Sequence, residues 1–591
     1  MNTNLTELRK IMLKEHITYY LIPSEDPHQS EYVDDYFKCR QFISGFTGSA
    51  GTLLVGSEDA WLWTDGRYFT QALEQLPSDI HLMKQGTAGV PTILDFLDEH
   101  LTKQDTLGVN GQTICADYGK KLERLAKKHH CNFKYNFLLV EKLWAQVGRP
   151  PLTKHPVYEH DERYTGEHFE SKLKRLRAIM EQEEAQALFL SSLPDIAWLF
   201  NLRGDDIACT PLFYSYAWIT PDQCFLFLRK ECVTAGTFRR FRDSNITIQD
   251  YDTIVSFLEN QHTSVMLDTK LVNYDHYQRL FKCKIIDQKN PTERMKAIKN
   301  DTQIFHLKQC HIHDGAAVTK FMYWLKTNAG KLPMTERSVT EQLESERKKQ
   351  PDYAGPSFDT ICAYKDHAAM MHYQSTEETD TEILPEGMLL IDSGGQYYSG
   401  TTDVTRTFIL GPITEEERRH FTLVLKSMLT LSDAKFLLGC RGSNLDILAR
   451  EPLWEEGIDY QCGTGHGVGY FLGVHEGPNA FRWRSNPENL DAVLEPGMVI
   501  TDEPGVYCPG KYGIRTENML YCKKWRQNQY GTFLAFHPLT VVPIDLDGVD
   551  LTLFTAKEKK LLKDYQQFVY DTLTPHLTEE ESAWLKTLLL D

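Results

Sequence analysis

Near the start of the chain, Leu8-Arg9-Lys10-Ile11-Met12 places apolar and charged positions with a helical period, and the apolar run Tyr19 to Ile22 follows it. The same succession recurs 168 residues later, where Leu176-Arg177-Ala178-Ile179-Met180 leads to Leu188-Phe189-Leu190. In both places a helical period gives way to a short apolar run, the pattern of a helix feeding a buried strand. The repetition predicts two related α/β domains in tandem. Gly148-Arg149-Pro150-Pro151-Leu152 lies between them, and its paired prolines favour an extended linker.

A second repetition is sharper. Leu384-Pro385-Glu386-Gly387-Met388-Leu389-Leu390-Ile391-Asp392 returns 110 residues on as Leu494-Glu495-Pro496-Gly497-Met498-Val499-Ile500-Thr501-Asp502. Each copy is a Pro/Gly turn opening an apolar strand that ends in an acid. Further acidic residues follow both strands at similar distances, so this region is expected to hold two half-domains facing each other across a cleft. Helical periods from about 307 to 325 and from about 415 to 437 predict helices covering the sheet. The charged tail 555–590 is helical in pattern as well. The expected organisation is an α/β domain over residues 1–155, a second over 156–303, and an α+β domain with a C-terminal extension over 304–591.

Length agrees, since 591 residues exceed one core at ~100–200 residues per domain. The net charge of −18 argues against nucleic acid as a partner, which would call for a basic face. Thirteen cysteines, an odd number with no C-x-x-C pair, fit reduced thiols better than a disulfide framework or a zinc ribbon. The opening MNTNLTELRK has no apolar signal-peptide core. No run approaches the ~20 apolar residues needed to cross a bilayer. A cytoplasmic protein without a membrane partner is expected.

The candidate chemistry lies in the acidic residues after the two repeated strands. Asp392 closes the first strand, and Asp403 follows eleven residues on, on the expected return strand. Glu503 follows the second strand. Glu517 lies in Ile514-Arg515-Thr516-Glu517-Asn518-Met519, where a period of two predicts Arg515, Glu517 and Met519 on one face of a strand. Four carboxylates on facing hairpins would repel one another if buried without a counter-charge, and one or two divalent cations remove that repulsion. His466, within Gly463-Thr464-Gly465-His466-Gly467-Val468-Gly469, adds a nitrogen donor, and the alternate glycines allow close backbone approach. Oxygen-rich ligation with one imidazole suits Mn²⁺, Co²⁺ or Fe²⁺, with Zn²⁺ an alternative.

Together with Gly465-His466-Gly467, Val474-His475-Glu476-Gly477-Pro478 and the four acids, the chain resembles the "pita-bread" metallopeptidases. Within them it is similar to the three-domain, cytosolic type of Xaa-Pro aminopeptidase. Ile43-Ser44-Gly45-Phe46-Thr47-Gly48-Ser49-Ala50-Gly51 and Thr64-Asp65-Gly66-Arg67-Tyr68-Phe69 resemble that family's first domain. Asp195-Ile196-Ala197-Trp198-Leu199-Phe200-Asn201-Leu202-Arg203-Gly204 resembles its second. The resemblance implies two tandem creatinase-like α/β domains and a catalytic pita-bread domain, a homodimer, and removal of the first residue from peptides with proline second.

It also implies two metal ions, Mn²⁺ first among the choices. Asp392, Asp403 and Glu517 would hold one ion; Asp403, His466, Glu503 and Glu517 would hold the other. A water shared by the ions would lose its proton near neutral pH and act as nucleophile. Glu503 would shuttle that proton to the leaving proline nitrogen. His372 and His475 match the family's substrate histidines, expected on the scissile carbonyl and the tetrahedral oxyanion. Arg515 is expected to orient Glu517, to contact substrate or to form a plain surface ion pair. Phe358, Tyr373, Tyr68 and Trp198 are candidates for an apolar slot that selects proline.

Two departures stand out. Cys462 occupies a position four residues before His466 where the family often carries histidine, and a thiol cannot reproduce an imidazole's hydrogen bonds. Ala363-Tyr364-Lys365-Asp366-His367 also differs from the family's Gly-Pro-Asn-rich loop. The rival readings are a prolidase acting on Xaa-Pro dipeptides, which shares the metal site, and a catalytically silent peptide-binding module, which would be expected to have lost ligands.

Overall fold

The first repetition is a repetition of structure. In the computed structural model, which describes residues 3–484 and 491–590, helix Thr3–Lys14 buries Leu5, Leu8 and Met12 and feeds strand Tyr19–Ile22. Helix Phe169–Gln182 buries Leu173, Leu176 and Met180 and feeds strand Ala187–Leu190. Matching positions of the two motifs thus face a core.

Each of these strands is the pivot of a six-stranded sheet. Tyr19–Ile22 runs antiparallel to Thr52–Val55 and parallel to Thr106–Val109. Ala187–Leu190 runs antiparallel to Tyr216–Ile219 and parallel to Ser264–Leu267. The outer strands repeat too: Ala60–Thr64, His81–Lys84 and Asn132–Lys134 in the first sheet correspond to Cys224–Leu228, Ile246–Asp250 and Lys284–Asp287 in the second, in the same spatial order and with the same strand senses. Both sheets belong to one compact unit, residues 1–160 with 167–292. Tyr68 and Trp198 are core residues here, Tyr68 bonded to Ser49 and Trp198 lying beneath the Lys172 ammonium.

The second unit comprises residues 161–166 and 293–591. Its two repeated strands are Met388–Ser393, flanked by Ile361–Tyr364 and Val404–Ile409, and Val499–Asp502, paired with Asn518–Asn528. Gly387 and Gly497, the turn glycines of the two copies, both take positive φ, at 71° and 93°. That conformation is nearly free of steric cost only for glycine.

Helices Asp301–Asn328 and Glu415–Ser432 match the expected helical periods, with one difference. The second helix ends at Ser432, and Lys435–Leu437 is an edge strand on Gly531–Pro538. Phe436 alone of these three residues is buried, so the tertiary sheet imposes a period of two where the local pattern continued a helix. The tail forms helices Ala556–Leu573 and Glu579–Lys586, broken around Pro575. Leu562, Tyr565, Val569 and Leu573 of the first pack with Leu425, Met428 and Leu429 of helix Glu415–Ser432. Among the described residues no helix is long and apolar enough to cross a membrane.

Candidate metal centre

Asp392 sits near the end of the buried strand Met388–Ser393. Asp403 immediately precedes the antiparallel strand Val404–Ile409, and Glu503 immediately follows Val499–Asp502. Glu517 is placed differently from the continuous strand expected. Strand Tyr512–Arg515 stops and strand Asn518–Asn528 starts, leaving Thr516 and Glu517 outside both. The other half-domain holds Glu517 instead. Its N–H donates to the Thr405 carbonyl at 3.1 Å, its carbonyl accepts from Arg406 Nη1, and its Oε2 accepts from Thr405 Oγ1 at 2.9 Å.

His466 lies on the two-residue strand Gly465–His466, paired with Ala480–Phe481. A Cβ on Gly465 would meet the Thr501 carbonyl oxygen at 2.0 Å, and one on Gly467 would meet the Glu476 carbonyl oxygen at 2.1 Å. The glycines therefore let this segment lie directly against its neighbours. The His466 N–H donates to Thr501 Oγ1 at 3.0 Å, and that hydroxyl donates to Glu503 Oε1 at 3.2 Å.

The side chains converge. His466 Nε2 is 3.6 Å from Asp403 Oδ2 and 3.4 Å from Glu503 Oε1. One donor atom each from Asp403, His466 and Glu517 lies within 4.8 Å of the others. Arg515 Nη2 donates to Asp392 Oδ2 at 2.5 Å. Its remaining nitrogens reach Tyr507 OH at 2.6 Å and Thr405 Oγ1 at 3.1 Å. The link from Arg515 to Glu517 thus runs through the Thr405 hydroxyl.

Charge is crowded here. Burial, then neighbouring Asp392 and Glu503, hold the Asp403 carboxyl well above its usual range. Burial, then Asp403, Glu503 and Asp392, do the same to Glu517. Glu503 is raised to about 7, by burial first and with Asp392 adding to it, while Arg515 and His475 pull it back. Asp392 Oδ1 and Glu517 Oε1 are buried without a hydrogen-bond partner. Buried carboxylate oxygens need a donor or a cation. Oxygen donors with one imidazole, short of positive charge, fit divalent metal ions.

His475 packs edge-on against His466 with ring centroids 4.2 Å apart. His372 follows Met371, whose carbonyl accepts from Arg515 Nη2 at 3.4 Å. Half-buried Cys462 packs in the cluster that holds Tyr507 and Tyr512. Tyr373 points elsewhere: its hydroxyl donates to Glu336 Oε2 at 2.9 Å and its ring is core. Thr405 and Thr501, which bond Glu517 and Glu503, and Tyr507, which bonds Arg515, were not singled out by sequence. A threonine in a strand carries no signal beyond β propensity.

This fold and site define a metallopeptidase. Family models match along the chain: "Creatinase/Prolidase N-terminal domain" over residues 5–137 and again over 148–303, "Metallopeptidase family M24" over 306–524, and "C-terminal region of peptidase_M24" over 532–588. A protein of Paracoccidioides brasiliensis (strain Pb03) named "Probable Xaa-Pro aminopeptidase P" is 36% identical over 98% of this chain and 98% of its own. Another of that name from Coprinopsis cinerea is 36% identical over 98% and 97%. The crystal structure of X-prolyl aminopeptidase from Caenorhabditis elegans, described as a cytosolic enzyme with a di-nuclear active site, superposes with a TM-score of 0.94 at 34% identity, covering 99% of both chains. Xaa-Pro dipeptidase from Bacillus anthracis, at 22% identity and a TM-score of 0.51 over 64% of this chain, shares the fold. The chain belongs to metallopeptidase family M24 and, within it, to the Xaa-Pro aminopeptidase P group.

Proposed function

We propose that this protein hydrolyses the bond between the first residue and a following proline in peptides, using two divalent metal ions. The observation that carries the reading is the meeting of Asp403, His466, Glu503 and Glu517, with Asp392 alongside, where two buried carboxylate oxygens have no hydrogen-bond partner. Asp392, Asp403 and Glu517 would hold one ion, and Asp403, His466, Glu503 and Glu517 the other. When bound, such ions supply Lewis acidity and lower the pKa of coordinated water towards 7.

The chain's own residues do the rest. Glu503, at the strand end beside His466 and bonded by the Thr501 hydroxyl, is placed to accept a proton and return it to the proline nitrogen as the C–N bond breaks. His475, beside His466, and His372 would hydrogen-bond the carbonyl oxygen of the first residue as it gains negative charge. Arg515 holds Asp392 and so acts on the centre; its nitrogens are engaged within the protein, which favours orientation over substrate contact.

Mn²⁺ as the native ion is supported by the oxygen-rich donor set. A cytoplasmic setting is supported by thirteen cysteines of which none forms a disulfide. Homodimerisation rests on the family resemblance and is checked by sedimentation. Domain limits at 1–155, 156–303 and 304–591 complete the proposal.

Turnover of the tripeptide Arg-Pro-Pro and of Xaa-Pro dipeptides by Mn²⁺-loaded protein is the test. Release of arginine from the tripeptide is expected. Cleavage of dipeptides alone would establish a prolidase, and binding without turnover a silent module.

A further inference from the structure

Glu517 lies in a break between two strands, so no sheet ladder fixes its backbone. The Thr405 carbonyl accepts from its N–H at 3.1 Å, and Arg406 holds its carbonyl side. The Arg406 side chain is buried, and Nη1 donates to the Glu517 carbonyl. Nη2 is 2.8 Å from Asn518 Oδ1, 2.8 Å from the Val542 carbonyl and 3.0 Å from Tyr565 OH. Nε donates to the Pro543 carbonyl at 3.1 Å. One guanidinium therefore ties strand Val404–Ile409, the residues around Glu517, and the segment at 542–543 into one knot. A planar fork with five donors suits such a task, and lysine could not replace it.

The knot is closed from the C-terminal extension. Tyr565, on helix Ala556–Leu573, is 8% exposed. Its hydroxyl accepts from Arg406 Nη2 and lies 2.8 Å from the Val542 carbonyl and 3.1 Å from Asn518 Oδ1. Gln566 beside it brackets Ile544 by accepting from its N–H at 3.0 Å and donating to its carbonyl at 3.1 Å. The helix is thus registered against the backbone that orients Arg406.

We propose that Tyr565 is a positioning residue for the metal centre, acting through Arg406 to hold the backbone of Glu517. The proposal rests on the reading of Glu517 as a metal ligand. It makes the C-terminal helix part of the active-site scaffold, where its packing alone would assign it only to stabilising the fold. Partners one step removed from a ligand set metal affinity, commonly by about 10–100-fold.

The test compares full-length wild type, Tyr565→Phe and Val569→Ala. The phenylalanine keeps the ring in place and removes one hydroxyl. Val569→Ala loosens the same helix through a buried residue of the apolar cluster without touching Arg406. Metal-free proteins are titrated with Mn²⁺ against a competing chelator, and with Co²⁺ followed by its visible absorption. Folding is checked by circular dichroism.

Tyr565→Phe is expected to bind Mn²⁺ more weakly than wild type, by up to about tenfold because it stands one step beyond the partners that change affinity by that factor or more, and to alter the Co²⁺ spectrum. Val569→Ala is expected to lower Tm while leaving both readouts unchanged. Wild-type affinity in Tyr565→Phe, or an equal loss in Val569→Ala, overturns the proposal alone. Wild-type protein that binds neither ion overturns the metal-centre reading and the proposal with it.

Discussion

The Arg515 guanidinium donates to Asp392 Oδ2 at 2.5 Å, while the other oxygen of Asp392, Oδ1, is buried with no hydrogen-bond partner. One side of the carboxylate is thus fixed by the protein and the other is free to bind a cation. Arg515→Lys keeps a positive charge but loses the fork that reaches Tyr507 and Thr405 as well. Metal affinity is expected to fall about 10–100-fold with the fold retained, measured by chelator competition and circular dichroism. Unchanged affinity would show that Asp392 needs no such support.

Asp403→Asn removes one charge from the crowded carboxylates. Activity should fall by about 10²-fold or more, because several kcal/mol of charge stabilisation depend on the ligand set. The metal-free protein should become more heat-stable, since the mutation relieves like-charge repulsion around a buried group. Peptidase assays with metal analysis, and Tm measured with a chelator present, check the two halves. Full activity with an unchanged metal count would remove Asp403 from the centre.

A pH dependence follows from Glu503, raised to about 7, and from Asp403 and Glu517, raised well above their usual range. A carboxyl with a raised folded pKa binds more protons folded than unfolded, so its contribution to stability declines as pH rises from the ordinary carboxylate range through the folded value. Buried histidines with lowered pKa, such as His276 and His311, act in the opposite sense. They are common to metal-free and metal-loaded protein and cancel in the difference. The rise in Tm on adding Mn²⁺ should therefore be larger at pH 8 than at pH 6, with protons released on binding. Equal increments at both pH values would count against the crowded acids as ligands.

Glu336 is fully buried and gathers three donors from the segment that carries His372: the Tyr364 N–H at 2.7 Å, His367 Nδ1 at 2.9 Å and Tyr373 OH at 2.9 Å. Glu336→Gln replaces one accepting oxygen with an amide donor, at a cost of about 1–3 kcal/mol. Activity should fall as well, and adding Glu336→Gln to His372→Ala should cause little further loss. Additive losses in the double variant would separate Glu336 from His372.

Much of this protein is legible along the chain, because strand and helix periods report which face a residue shows to a core. The echo of Leu8–Met12 at Leu176–Met180 announced two α/β domains, and the two sheets share strand order and sense. The repeated Pro/Gly turns marked the two strands, with Asp392 near the end of the first, Asp403 just before the return strand and Glu503 just past the second, and glycines around His466 signalled close backbone approach. A periodicity names a face but not what meets it. Whether 435–437 continued a helix or paired with a distant strand was decided by Gly531–Pro538. That Glu517 leaves its strand, that Arg515 holds Asp392, and that Tyr565 reaches Arg406 all depend on residues 111 to 159 positions apart along the chain. Such contacts form only when the chain closes on itself, and hydrogen bonds to buried charges leave no local pattern for the sequence to carry.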